Sequence, residues 1–349
     1  MSSGSSDPQT ISLRRRVFSL RTLLAFLVAI TFIFFLATRF DVKWGETWDQ
    51  VRGMDFYSYG LAVLLYYTSF WFRGLRWRVL ALNAGILESG ETTLPSYFRF
   101  AQLIVIGWFV NSVTWLRMGD AYRAYAFSQD SRMGFSWSLG TVFAERVLDM
   151  ATVFVLVLIG VASFSTTSDS NVSNYLVAAA FLMSVALVGL LLAMRRFGPK
   201  FAGALPGRFA GAYVRFQKGT LSGFKRLPLL LLLSLIGWLL EAGRLYFVVV
   251  ALDMSLSLPL LLLVALGHAI LSTVPTPGGV GAVEPGVTGL LMLSFARESA
   301  VAIALVDRSI TYLSVIVFGA IAFFAWQTAH ARRRSDRSET RTAETTETA

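Results

Sequence analysis

The chain has 349 residues, 55% of them hydrophobic and only 15% charged, with a mean hydropathy of +0.61; soluble domains carry about a quarter charged residues, so this composition indicates an integral membrane protein. It holds no cysteine and two histidines, His268 and His330, which excludes disulfides, cysteine nucleophiles and thiolate- or histidine-based metal centres. Its net charge of +10 comes mostly from arginines and lysines in short segments beside apolar runs, a distribution that suits anionic lipid head groups and not nucleic acid.

Residues 1–19 are polar and basic and are expected to be disordered. The apolar run 20–38 follows Arg14, Arg15 and Arg16, has no small-residue cleavage site, and reads as an uncleaved anchor with a cytoplasmic N-terminus. Residues 39–55 read as a mixed-charge outer loop, with Trp44 and Trp48 suited to the interface. The second span, 57–80, ends in Arg73, Arg76 and Arg78, so that end lies inside; Arg73 and Arg76, three apart, share a helix face.

The next apolar run, 100–115, has charge at both ends. The run after it, 139–164, leads into a segment with Asp169 and no Lys or Arg, which reads as external. Parity then puts both ends of 100–115 inside. The expected solution is a re-entrant hairpin with Gly107 or Asn111 near its tip. Arg117, Asp120 and Arg123 follow at three-residue spacing, as a solvated interfacial face or as part of a polar site.

Span 175–194 returns inside to a long basic loop, Arg195 to Arg226, whose amphipathic patches are expected to lie on the inner leaflet. Span 229–252 runs outward, carrying Glu241 and Arg244, and span 302–325 returns inside with Asp307 and Arg308 near its start. Between them lies Val274-Pro275-Thr276-Pro277-Gly278-Gly279-Val280-Gly281-Ala282-Val283-Glu284, flanked by apolar runs. Its prolines and glycines cannot continue a helix, and both flanks must be outside, so a second re-entrant hairpin is expected from the opposite face. The fold class is therefore an all-α bundle of about six full spans plus two opposed re-entrant hairpins, in an inverted repeat. The transmembrane domain is 20–328, and 329–349 is a disordered tail.

Ionisable residues inside apolar spans are costly and face a bundle interior or a polar cavity. Glu145, Arg146 and Asp149 fall in one such span, with Glu145 and Asp149 on one face and Arg146 within pairing distance of Asp149. They can lock two helices as a structural ion pair, or Arg146 can present a bidentate donor pair to a phosphate while the acids orient it. His268 reads as a hydrogen-bonded core residue. Gly279-Val280-Gly281 lacks the third glycine of a dinucleotide fingerprint and no phosphate-binding lysine follows it, which excludes an ATPase.

Four stretches, in this order, resemble the lysylphosphatidylglycerol synthase transmembrane-region family, which is flippase-like: Arg73-Gly74-Leu75-Arg76-Trp77, Asn111 to Arg123, Glu145-Arg146-Val147-Leu148-Asp149, and Pro275 to Glu284. Thr114 to Asp120 lacks the proline that the family usually carries there. The resemblance implies translocation of a phospholipid or polyprenyl-phosphate-linked lipid. A chain without the aminoacyl-transferring domain is not expected to aminoacylate lipid, and with no metal-ligand set or nucleotide motif in its residues no metal or cofactor is expected.

The expected site has Arg117, Arg123, Arg146, Arg244 and Arg308 on the phosphate, oriented by Glu145, Asp149 and Glu284. Arg73, Arg76, Asn111, Asp120, Pro275, Pro277, Gly278, Gly279 and Gly281 complete its walls. The expected partners are anionic phospholipids or polyprenyl phosphates in the cytoplasmic membrane, with both termini cytoplasmic. Two alternatives stand beside this expectation: a non-transporting partner or anchor of a lipid- or glycan-modifying enzyme, and a secondary carrier for a small anion.

Overall fold

A computed structural model describes residues 44–89, 94–131, 133–164 and 171–330. The expected anchor at 20–38, residues 1–19 and residues 331–349 of the expected tail lie outside these. Every regular element among the described residues is helical.

Helix α1, Trp44–Arg52, occupies what reads from sequence as a loop. It forms because Thr47, Val51 and Met54 turn inward against the bundle, while Trp44 and Trp48 stay exposed. Helix α2, Phe56–Asn83, starts at Asp55, whose carboxylate accepts from the backbone amides of Tyr57 (3.2 Å) and Ser58 (3.0 Å). Its 28 residues span about 42 Å, enough to cross a bilayer.

Helix α3, Tyr97–Val113, and helix α4, Met118–Ser131, form a helical hairpin. Its turn lies at Thr114–Arg117, beyond both expected tip residues. Gly107 sits inside α3, where the α4 backbone passes against it; a side chain at Gly119 would collide with Gly107 and with the Asn111 amide. Instead Asn111 Oδ1 accepts from the Gly119 amide at 2.8 Å. The returning limb is the polar stretch after the apolar run, so the hairpin is about twice as long as hydropathy alone indicates.

Helix α5, Phe135–Phe164, is followed by α6, Asn171–Ala204, and α7, Gly207–Leu221. The expected long basic loop is thus mostly helix. The α7 helix docks on α5 through Gly140 and Gly219, where any Cβ would strike the facing backbone, and Thr220 Oγ1 bonds the Gly140 carbonyl at 3.1 Å. Its other face exposes Arg208, Phe209, Val214 and Arg215.

Helix α8, Leu227–Ala251, runs antiparallel to α2 along its whole length. The Asp55 amide bonds the Ala251 carbonyl (2.7 Å) at one end, Arg73 meets Glu241 in the middle, and Asn83 bonds the Gly223 carbonyl (2.9 Å) at the other. A second hairpin follows: α9, Leu258–Leu271, a turn containing a 3₁₀ segment at Pro277–Gly279, and α10, Val283–Leu291.

The last helix, α11, covers Arg297–His330 and contains a π-helical segment, Ser309–Ser314. Such a segment displaces backbone hydrogen bonds and is frequent at functional sites. Three α2 tyrosines hold it: Tyr59 and Tyr67 bond the Ser309 and Ser314 hydroxyls (2.9 and 2.7 Å), and Tyr66 donates to the Thr311 carbonyl.

Aromatic triads knit the interior. Trp77, Phe100 and Phe127 have ring centroids 5.0 to 5.2 Å apart, and Tyr66 and Phe70 of α2 pack edge-on against Trp108 of α3. Polarity is inverted relative to a soluble protein. Arg76, Arg123, Arg244, Glu145 and Asp307 are buried, while Leu231, Leu232 and Leu239 on α8 and Phe318, Ile321 and Phe324 on α11 are exposed. Among the described residues, α8 and α11 are long and apolar enough to cross a membrane by composition alone, although each carries buried charges, Glu241 and Arg244 on α8 and Asp307 and Arg308 on α11.

Candidate functional site

Three sets of ion pairs converge where the hairpin tips meet. In the first, Arg76 of α2 bonds Glu145 (3.2 Å) and Asp149 (2.7 Å) of α5, and Ser234 of α8 (2.8 Å). Arg123 of α4 bonds the other Glu145 oxygen at 2.9 Å and Asp120 at 3.2 Å, and lies under the Trp77 ring. Arg146 grips Asp120 with two parallel bonds, 2.9 and 3.0 Å, and reaches Asp149 at 3.3 Å. In the second set Glu241 takes Arg73 (3.1 Å) and Arg244 (3.2 Å), Arg244 also pairs with Asp307, and His268 Nδ1 meets the other Asp307 oxygen at 3.2 Å. In the third Arg308 bonds Glu284 (2.8 Å) and the Gly278 carbonyl (3.1 Å).

The first pattern recurs in the second and third sets. The helix before each hairpin supplies an arginine, Arg76 or Arg244, to an acid on the helix after it, Glu145 or Asp307. The residue following that acid, Arg146 or Arg308, reaches back to the hairpin's own carboxylate, Asp120 or Glu284. Each hairpin is thereby clamped to the helix that follows it.

The tips touch. The Leu116 amide bonds the Pro275 carbonyl at 3.3 Å, the Arg117 guanidinium bonds the Ser272 carbonyl, and Tyr312 of the π segment donates to the Ser112 carbonyl. Leu116 and Arg117 have left-handed φ values of 60° and 52°, which costs residues other than glycine about 1–2 kcal/mol each. Across from them Gly278, Gly279 and Gly281 take φ of 59°, 71° and 86° without that penalty. Glu284 caps the second turn by accepting from the Gly281 amide at 2.7 Å.

Beside the tips is a cavity of about 200 Å³. Five arginines line it, Arg73, Arg117, Arg146, Arg244 and Arg308, against two carboxylates, Asp149 and Glu241. Asn111, Gly278 and Gly279 also face it. Arg76, Asp120, Arg123, Glu145 and Glu284 stand behind the wall as partners of the lining charges. Pro275, Pro277 and Gly281 shape the turn without lining the cavity.

Tyr66, Trp108 and Trp238, which are not among the residues expected from sequence, also line this wall. Trp108 precedes Asn111 by one helical turn on α3, a spacing that would have placed it. Trp238 shares no segment with its partner Arg73, whose guanidinium lies 5.3 Å from the Trp238 ring and 5.7 Å from that of Trp108.

The family model described as the lysylphosphatidylglycerol synthase TM region matches residues 22–319. A UPF0104 membrane protein of Methanocaldococcus jannaschii is 29% identical over 225 residues, covering 62% of this chain and 93% of that protein. A UPF0104 membrane protein of Methanothermobacter thermautotrophicus is 24% identical over 326 residues, 85% of this chain and 94% of that protein.

Proposed function

The chain belongs to the lysylphosphatidylglycerol synthase transmembrane-region family, a family of membrane proteins, and from that premise we propose that it translocates a lipid whose phosphate is held by the arginines of the cavity. The observation that carries this reading is the arginine-lined cavity at the junction of two helical hairpins, inside a bundle whose outer face is apolar. In this reading the hairpins are re-entrant and enter from opposite faces. The antiparallel α2 and α8 and the repeated clamp pattern support an inverted repeat, and broken helices meeting near the midplane are the architecture of many transporters. The cavity is smaller than the roughly 300–1,000 Å³ of a typical ligand pocket, so it takes a head group while the acyl chains stay in lipid.

The chain makes and breaks no covalent bond in the lipid. The basic end of the bundle, with Arg195, Arg196, Arg208, Arg215 and Arg226, faces the cytoplasm together with both termini.

Reconstitution into vesicles with fluorescent phospholipids tests the proposal. The parent protein moves label between leaflets, and Arg146→Ala and Glu284→Ala each slow it by about tenfold or more, since each removes one partner of a hairpin clamp. Equal rates in parent and variants would overturn the site.

The exposed basic and aromatic surface of α7 favours a second reading, an anchor for a lipid-modifying enzyme. That reading requires vesicles with the protein to move label no faster than empty ones.

A further inference from the structure

The charges around the cavity do not balance. Arg76, Arg123 and Arg146 are matched by Asp120, Glu145 and Asp149. Arg73 and Arg244 are matched by Glu241 and Asp307, and Arg308 by Glu284. Among the described residues, Arg117 alone of the cavity's arginines has no carboxylate within ion-pair distance. It lines the cavity, and its guanidinium bonds only the Ser272 carbonyl on the opposite hairpin. The pairing of arginines with carboxylates thus leaves one uncompensated guanidinium in the assembly. A net charge away from water is expensive, so the site is completed by one negative charge and overfilled by two.

The position of that charge adds a second consequence. Arg117 sits on the α3–α4 turn and Ser272 at the end of α9, so this bond is one of the ties holding the two tips together. A phosphate oxygen is a stronger acceptor for a guanidinium than a neutral carbonyl, and it can take two of the guanidinium donors at once. A ligand that captures Arg117 therefore releases Ser272 and favours the arrangement in which the tips are apart. Differential binding of this kind is the only way a ligand can shift such an equilibrium.

We propose that Arg117 is the charge-selecting residue of the cavity: it admits one monoanionic phosphodiester head group, discriminates against diphosphates, and in binding its ligand unties the two hairpin tips. The proposal rests on the translocation reading and names the selecting residue within it.

The test uses the full chain in detergent, titrated calorimetrically with short-chain phosphatidylglycerol, short-chain phosphatidylcholine and a short-chain prenyl diphosphate. Phosphatidylglycerol, with a net charge of minus one, binds about tenfold or more tightly than the net-neutral and the diphosphate probes. Arg117→Gln loses that preference, and Arg117→Lys, which keeps the charge, retains most of it.

Tip separation is read independently. The chain has no native cysteine, so a Leu116→Cys, Pro275→Cys pair reports contact between the tips by disulfide formation without background. Phosphatidylglycerol slows closure of this pair several-fold, and adding Arg117→Gln abolishes the slowing. Equal affinity for the diphosphate, an unchanged preference in Arg117→Gln, or closure indifferent to phosphatidylglycerol overturns the proposal while leaving translocation intact. A parent protein that neither binds nor moves any anionic lipid overturns translocation itself, and this proposal with it.

Discussion

Glu145 shows how one residue can be indispensable without touching a ligand. Both its oxygens are taken, one by Arg76 and one by Arg123, and all three side chains are almost fully buried. Neutralising it leaves two guanidiniums competing for Asp149 and Asp120. Removing one partner of a buried pair typically costs about 3–5 kcal/mol. Glu145→Gln is therefore expected to lower the melting temperature of the detergent-solubilised protein markedly, while Arg117→Gln leaves it nearly unchanged, because Arg117 has no carboxylate to orphan. A thermal-shift comparison of the two checks this ordering, and equal melting temperatures would refute it. From sequence, the Glu145–Asp149 spacing established that both acids share a face, and the Arg146–Asp149 pair follows from the same periodicity. Which arginines arrive from other helices does not follow, because Arg76 and Arg123 are distant in the chain.

The two hairpins differ in how their turns are made. The second is encoded by glycines at left-handed φ, with Gly278 packed against the Tyr312 ring, so proline and glycine marked it in the sequence. The first uses Leu116 and Arg117 in the same backbone region, with no glycine or proline, and it is held there by contact with the second. Local sequence therefore points to Gly107 or Asn111, while the turn lies at Thr114–Arg117: tertiary contact overrides local preference. Gly107 serves close helix packing, not bending. Gly278→Ala is expected to destabilise the protein by about 1–2 kcal/mol, through left-handed strain and the encroached tyrosine. Leu116→Gly relieves comparable strain and is close to neutral. Melting curves of the two variants separate these outcomes, and a tolerated Gly278→Ala would show that the second turn is not held at this φ in solution.

At the scale of the whole molecule, the distribution of charge and the repeated clamps bear on the same topology. The end of the bundle holding Gln50 and Ser299, which bond each other at 3.4 Å, is opposite the end holding Gly223 and Lys225, whose carbonyls the Asn83 amide engages. Single cysteines at Ser299 and Ser222, in a chain without others, are expected to react with membrane-impermeant thiol reagents from opposite sides of sealed vesicles. Labelling of both from one side would rule out the inverted arrangement.

The helical membrane class is legible in the amino-acid order alone, because apolar runs of this length and charge content have few other solutions. The second break and the charged residues within spans are legible there too, since both violate the local pattern. Packing in three dimensions makes the polar α4 the returning limb of a hairpin, turns most of the basic loop into helix, and leaves Arg117 without a counter-ion among the described residues. Pairing among residues on separate helices is a property of their packing, and no local periodicity encodes it.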